Sequence, residues 1–335
     1  MTRFTQNLLA LAWAAVVAVT SLVGAAAQSG PLPSWNDGAA KKAITDFVAR
    51  VTTQGGADFV APADRIAVFD NDGTLWCEQP EYFQALFALD RVRAMAPQHP
   101  EWNDTEPFKS FLSGDREALA ALGEKALLVL VEAAHSGMTT DQFSRSVADW
   151  LAQARHPRFK RPYNELVYQP MVELLDYLRS SGFKTFIVSG GGVEFMRVWA
   201  EKAYGIPPEQ VVGSSGVVKF ETGADGKPEL VKLAKVEFID DGPGKPVGIN
   251  RFIGRRPIFA LGNSDGDLQM LQWTTAGSGA RFAGIVHHTD VEREYAYDRQ
   301  SHIGKLDKAW NEAKRRGWTV VDMKQDWKTV FPEKP

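Results

Sequence analysis

Cysteine is almost missing from this sequence: Cys77 is the only one in 335 residues. No internal disulfide can form, so a buried core must hold the fold together, and Cys77 itself reads as a small buried apolar residue. Histidine is scarce as well, six in all, and no histidine or cysteine spacing suggests zinc. An excess of one charge is lacking too. The formal net charge is -3, too small to steer nucleic acid or a strongly charged partner. No internal repeat or low-complexity tract appears, and 44% hydrophobic against 24% charged residues suits a globular chain of about two domains.

Long apolar runs are confined to the N-terminus. Residues 1–27 offer Arg3, an apolar stretch and then Ala25-Ala26-Ala27 before Gln28, the pattern of a secretory signal peptide cleaved after Ala27. An uncleaved anchor is the alternative, weakened by Thr20, Ser21 and Gly24. There is no twin arginine and no cysteine at the cleavage site. The expectation is a periplasmic or secreted protein with no stable membrane association after cleavage.

What is present in the mature chain is a rhythm. The apolar runs RIAVFDND, KTFIVSGGG, PIFALGNSDGD and FAGIVHHTD each end abruptly in polar or glycine-rich turns. Between them lie helical patterns: Met171, Leu174, Leu175 and Leu178 share one face, and Val193, Met196, Trp199 and Ala200 share another. Strand, helix, strand predicts an α/β fold, a Rossmann-like doubly wound parallel sheet covered on both faces. Residues 76–165 break the rhythm and read as an inserted helical cap, with Thr139 and Gln142 spaced as a capping box; the core is then 28–75 and 166–335. A second insert, 211–241, alternates apolar and polar residues around GADGKP and predicts a β-hairpin.

The polar strand ends raise a chemical question. Ile66 to Phe69 run into Asp70 and Asp72, and burying a carboxylate is costly unless a cation meets it. Ligands of open α/β sheets bind beyond the carboxyl ends of the strands, where Asp70, Asp72, Ser189, Asn263, Asp265 and Asp267 all fall. Gly190, Gly191 and Gly192 follow Ser189 and precede a helix, offering backbone N–H groups to an anion. Lys245 precedes Pro246 at another helix start. Carboxylates, a lysine, a hydroxyl and a glycine turn suit a phosphate group with Mg²⁺.

In that order, Asp70–Thr74 (DNDGT), Val188–Gly192 (VSGGG), Lys245 and Gly262–Asp267 (GNSDGD) resemble the four motifs of the haloacid dehalogenase-like hydrolase superfamily, nearest its phosphoserine phosphatase-like branch. The resemblance implies a phosphomonoester hydrolase acting on a small phosphorylated metabolite. Asp70 would be the nucleophile that forms an aspartyl phosphate, and Asp72 the acid/base. Ser189, Gly190 and Lys245 would hold the phosphate. Asp70, the Asp72 carbonyl, Asn263 and Asp267 would bind Mg²⁺.

Two positions depart from the pattern. Asn263 stands where relatives commonly have an aspartate, which removes one charge from the expected metal site. Relatives acting on phosphoserine often carry a glutamate near Glu78, but the usual spacing falls on Gln79, so phosphoserine is not the expected substrate. Trp76, Tyr82 and Phe83 follow the first motif, where an aromatic face can hold substrate or pack in the core. Trp76, Glu78 and His287 are the substrate candidates, His287 because His287 and His288 end a strand near the site. Arg158, Lys160 and Arg161 either steer an anion or form a solvated linker. Two other readings stand beside the phosphatase: a dehalogenase, which needs no proton donor at Asp72, and a secreted binding protein of the same fold.

Overall fold

The computed structural model describes residues 30–122 and 124–333. The segment read as a signal peptide, 1–27, lies outside them. Each of the apolar runs becomes a strand: β1 (Ile66–Phe69), β2 (Lys184–Gly192), β5 (Phe259–Gly262) and β6 (Phe282–Thr289). Between β2 and β5 lies the hairpin of β3 (Val211–Thr222) and β4 (Pro228–Phe238), and β7 (Ala296–Tyr297) and β8 (Thr319–Asp322) follow. The parallel strands lie in the order β3-β2-β1-β5-β6-β8, while β4 and β7 join antiparallel at β3 and β6.

Alternate residues of each central strand go to opposite faces, as the pleat demands. Ala67, Phe69, Ile187, Phe259 and Leu261 join one apolar core with the helices Ala39–Thr52 and Gln169–Ser180. Ile66, Val68, Val188, Ala260 and Ile285 join the other with Leu268–Thr275 and Lys308–Arg316. Both faces are therefore covered, which is why the runs are continuously apolar.

The chain leaves β1 for β2 on one side, then returns to β5 on the other, so the winding reverses at β1. In register, Phe69 pairs with Ile187 and with Leu261. Asp70, just past Phe69, continues the ladder by donating its N–H to the Leu261 carbonyl at 3.0 Å. Ser189 and Asn263 lie two residues past Ile187 and Leu261, one step beyond Asp70, so the register brings all three to the same end of the sheet.

The segment between β1 and β2 carries the helices Phe83–Met95, Phe108–Ser113, Arg116–Leu122, Glu124–His135 and Thr140–Gln153. Thr139 and Gln142 form the expected reciprocal capping box. Ala88, Val92, Trp102, Phe108 and Leu130 make a small core of their own there. The hairpin reaches this segment as well: Lys232 on β4 exchanges backbone hydrogen bonds with Gly137 and Met138. The roof over the strand ends thus has two parts, one from each insert.

Candidate active site

A buried lysine lies between two carboxylates at the sheet's reversal point. Lys245, from the first turn of the helix Gly244–Gly248, donates to Asp70 Oδ1 and Asp267 Oδ1, both at 2.6 Å. Burial alone pulls its ammonium down, but Asp267 and Asp70 outweigh that and hold it above the ordinary lysine range. Asp70 is raised well above the usual carboxylate range, first by burial and then by Asp267, with Lys245 opposing. Among the described residues no donor meets Asp70 Oδ2.

Asp72 is held differently. The Trp76 indole donates to its Oδ1 at 2.7 Å, leaving Oδ2 beside Gly191. Burial pushes Asp72 up to about 6, against the pull of that indole and of Lys245. Adjacent carboxylates thus differ in state: one shares a lysine, the other is poised to exchange a proton. Asp70, Asp72, Ser189, Gly190 and Lys245 all line one cavity of about 400 Å³, which opens beneath the helical insert and the hairpin.

The glycine turn is less bare than its sequence suggests. The Gly191 N–H donates to Ser189 Oγ at 3.1 Å and the Gly192 N–H to Gln84 Oε1 at 2.6 Å. The helix behind it is short, Val193–Arg197, because the predicted single helix breaks before Ala200–Tyr204.

Could these groups hold Mg²⁺? Asp267 has both oxygens committed, Oδ1 to Lys245 and Oδ2 to the amides of Asn263 and Ser264 at 2.9 and 3.0 Å. In this arrangement it tethers the lysine and the fourth loop. Asn263 Nδ2 donates to Glu78 at 2.7 Å, while its Oδ1, among the described residues, meets only the Thr74 hydroxyl at 3.2 Å. Asp70 Oδ2, the Asp72 carbonyl and Asn263 Oδ1 are a set of oxygens that suits a hard cation, with substrate and water completing the shell. Among the described residues no three His, Cys, Asp or Glu side chains cluster as a metal cage. A site of one carboxylate, one carbonyl and one amide would not form such a cluster.

The sequence profile of haloacid dehalogenase-like hydrolases matches residues 67–272, more than half of the chain. The chain belongs to this hydrolase family. No curated protein matches it in sequence. A protein of unknown function from Bordetella pertussis Tohama I is 14% identical over 77% of this chain and 98% of its own, with a TM-score of 0.48. A functionally unknown protein from Anaerococcus prevotii DSM 20548 is 16% identical over 84% and 90%, also with a TM-score of 0.48. A phosphoserine phosphohydrolase-like protein from Francisella tularensis subsp. tularensis SCHU S4 is 18% identical over 66% and 87%, with a TM-score of 0.35.

Several side chains of this hydrolase stand elsewhere than their sequence positions suggested. Trp76 is buried and stacks on Trp199 at 4.1 Å; it faces Asp72 and does not line the cavity. Glu78 lines the cavity, but its Oε1 is taken by Asn263 and by the Tyr297 hydroxyl, each at 2.7 Å. Burial raises its carboxyl well above the usual range. A Cβ at Gly73, where φ is +70°, would strike Asn263 and Glu78, so this turn needs glycine on both counts. His287 turns away, packing on Trp310 at 4.5 Å. Arg158 spends its guanidinium on the carbonyls of Val291, Glu292 and Glu294, which removes it from substrate steering. Asp265 serves as a helix cap: its Oδ1 accepts the amides of Asp307 and Ala309 at the start of Lys308–Arg316.

His288 and Glu294 were not legible as site residues. His288 Nε2 donates to the Gly73 carbonyl at 2.8 Å, and Nδ1 meets Glu294 Oε2 at 3.2 Å. The ring thus bridges the Gly73 carbonyl and the Glu294 carboxylate, which clamps the turn to β6. Burial would raise Glu294, yet its bonds to His288, Cys77 and the Tyr295 amide hold it below the ordinary range. Cys77, buried and donating to Glu294 at 3.0 Å, is structural as its sequence suggested. The only signal available was the histidine pair at a strand end, and alternation along the strand decides which member faces the loop.

Proposed function

We propose that this hydrolase is a Mg²⁺-dependent phosphomonoesterase of the phosphoserine phosphatase-like branch. The observation that carries the reading is the pairing of Asp70, bound through Oδ1 to Lys245 with Oδ2 free, with Asp72 poised near pH 6 in the same cavity. Asp70 Oδ2 attacks phosphorus, and the bond to the leaving oxygen breaks as Asp72 gives that oxygen its proton. Asp72, now a carboxylate, takes a proton from water, whose oxygen attacks phosphorus and releases Asp70. Lys245 and the Ser189 turn face the phosphate oxygens. Asp70, the Asp72 carbonyl and Asn263 would hold Mg²⁺, which supplies charge neutralisation for the incoming phosphate.

The Trp76 indole, which orients Asp72 beside Asp70, supports this reading over a dehalogenase. We further propose that residues 1–27 direct export to the periplasm or beyond and are then removed; the N-terminal mass of protein from an exporting host tests this. Catalysis is tested with mature protein and a panel of phosphomonoesters. Turnover should vanish with EDTA, return with Mg²⁺, and be lost in Asp70→Asn with the fold retained by circular dichroism. Turnover by Asp70→Asn close to that of the parent would overturn the mechanism, and activity indifferent to EDTA would remove the metal.

A further inference from the structure

The cavity is much larger than a phosphate group, and its far wall is made by residues of the two inserts. Phe143, Val131 and Phe195 line it, and β4 and its end add Leu233, Val236 and Ile239. Those last three are 40%, 38% and 56% exposed, so the apolar wall runs out past the rim into solvent. Three large apolar side chains left wet at the mouth of a cavity are unusual enough to require an occupant.

Several of the charges in that wall are already satisfied within the protein. Lys232 is turned inward from β4, paired with Glu194, its ammonium 4.7 Å from the Phe143 ring. His135 is held neutral, lowered to about 3 by burial and then by Lys232 and Arg91, and it packs against the Phe143 ring at 4.8 Å. The remaining Glu132 and Lys235 are of opposite sign. Glu78, at the other end of the cavity, has Oε1 bonded to Asn263 and Tyr297. An amino acid phosphate is too short to cover Phe143, Leu233, Val236 and Ile239, and would bring an ammonium and a carboxylate against that apolar surface, where a charge is costly unless paired.

We infer that the substrate is a phosphomonoester whose alcohol portion is an uncharged apolar body, alkyl or aryl, held between the helical insert and β4 with its far end at the Leu233–Val236–Ile239 rim. This rests on the phosphomonoesterase reading. The hairpin is thus a specificity element: Lys232, fixed by Glu194 and by backbone bonds to Gly137 and Met138, holds β4 against the insert while Leu233 and Val236 face the substrate.

The test compares kcat/KM for ethyl, butyl, hexyl and octyl phosphate with O-phosphoserine and glycerol phosphate in Mg²⁺, alongside binding of the matching alkylphosphonates by calorimetry. The expected profile rises about three- to fourfold per methylene until the wall is covered, with phosphoserine at or below the ethyl ester. Val236→Asp, at an exposed position, should cut octyl phosphate at least tenfold and leave the ethyl ester within about twofold. A flat chain-length profile, or a preference for phosphoserine, would overturn the inference and leave the phosphatase reading standing. No turnover of any ester, with phosphonate affinity still rising with chain length, would overturn the catalytic reading while supporting the apolar pocket.

Discussion

Asn263 shows how one residue sets the charge of a site. As an aspartate it would face Glu78 across a 2.7 Å contact; as an amide it donates to Glu78 and keeps Oδ1 for other partners. The amide therefore avoids a like-charge contact with Glu78 and leaves one charge fewer at the expected metal site. Trp76 makes the complementary point. Sequence position put it among substrate contacts, but its indole N–H carries the orientation of Asp72. Trp76→Phe keeps an aromatic ring against Trp199 and deletes only that donor. The expected outcome is a fall in kcat of about tenfold, within the range of a mispositioned acid/base, with KM nearly unchanged. A kcat equal to the parent's would remove Trp76 from a positioning role, and a fall with all substrates traceable to a lowered Tm would make it packing alone.

At the scale of elements, much was legible because buried parallel strands announce themselves. Four apolar runs ending in polar turns marked β1, β2, β5 and β6, and in a parallel sheet those ends must converge, which placed Asp70, Ser189 and Asn263 together. β7 and β8 were not legible, being two and four residues long with no apolar run of their own. Nor was the clamp on the Gly73 carbonyl, since His288 lies 215 residues away and no local pattern encodes such a pair. That clamp joins β6 to the turn that carries Asp72. His288→Gln should keep the turn folded with a single donor and drop kcat severalfold while KM holds, whereas Glu294→Gln should reproduce the effect by weakening the bond that orients the ring. If both variants turn over like the parent, the clamp has no catalytic role.

For the molecule as a whole, stability should depend on pH through Asp240. This side chain is fully buried, and among the described residues neither oxygen has a hydrogen-bond partner. Burial raises it from the ordinary 3.8 to about 7, with Lys245 opposing the rise and Asp241 adding to it. The folded state therefore binds this proton more tightly than the unfolded chain. Its contribution is fully present below about pH 4 and is lost as pH climbs to about 7. Asp240→Asn should melt a few degrees above the parent at pH 8 and level with it near pH 4. A difference in Tm that does not vary across that window would show that Asp240 is paired in solution.

The two ends of the described chain are laced together. Trp35 packs edge-on to Trp327 with ring centroids 6.1 Å apart, the Asn36 amide donates to the Asp326 carbonyl at 2.7 Å, and the Lys328 amide to the Ser34 carbonyl at 2.8 Å. Topologically, the fold is a ring with a single nick, and the nick can be moved. A circular permutant that joins the two ends by a short flexible linker and opens in the 223–227 turn of the hairpin keeps every parallel strand pair and every site residue in place. It should fold and retain turnover of the smallest ester, and failure to fold would mean that the break at 34–36 and 325–328 is needed for assembly.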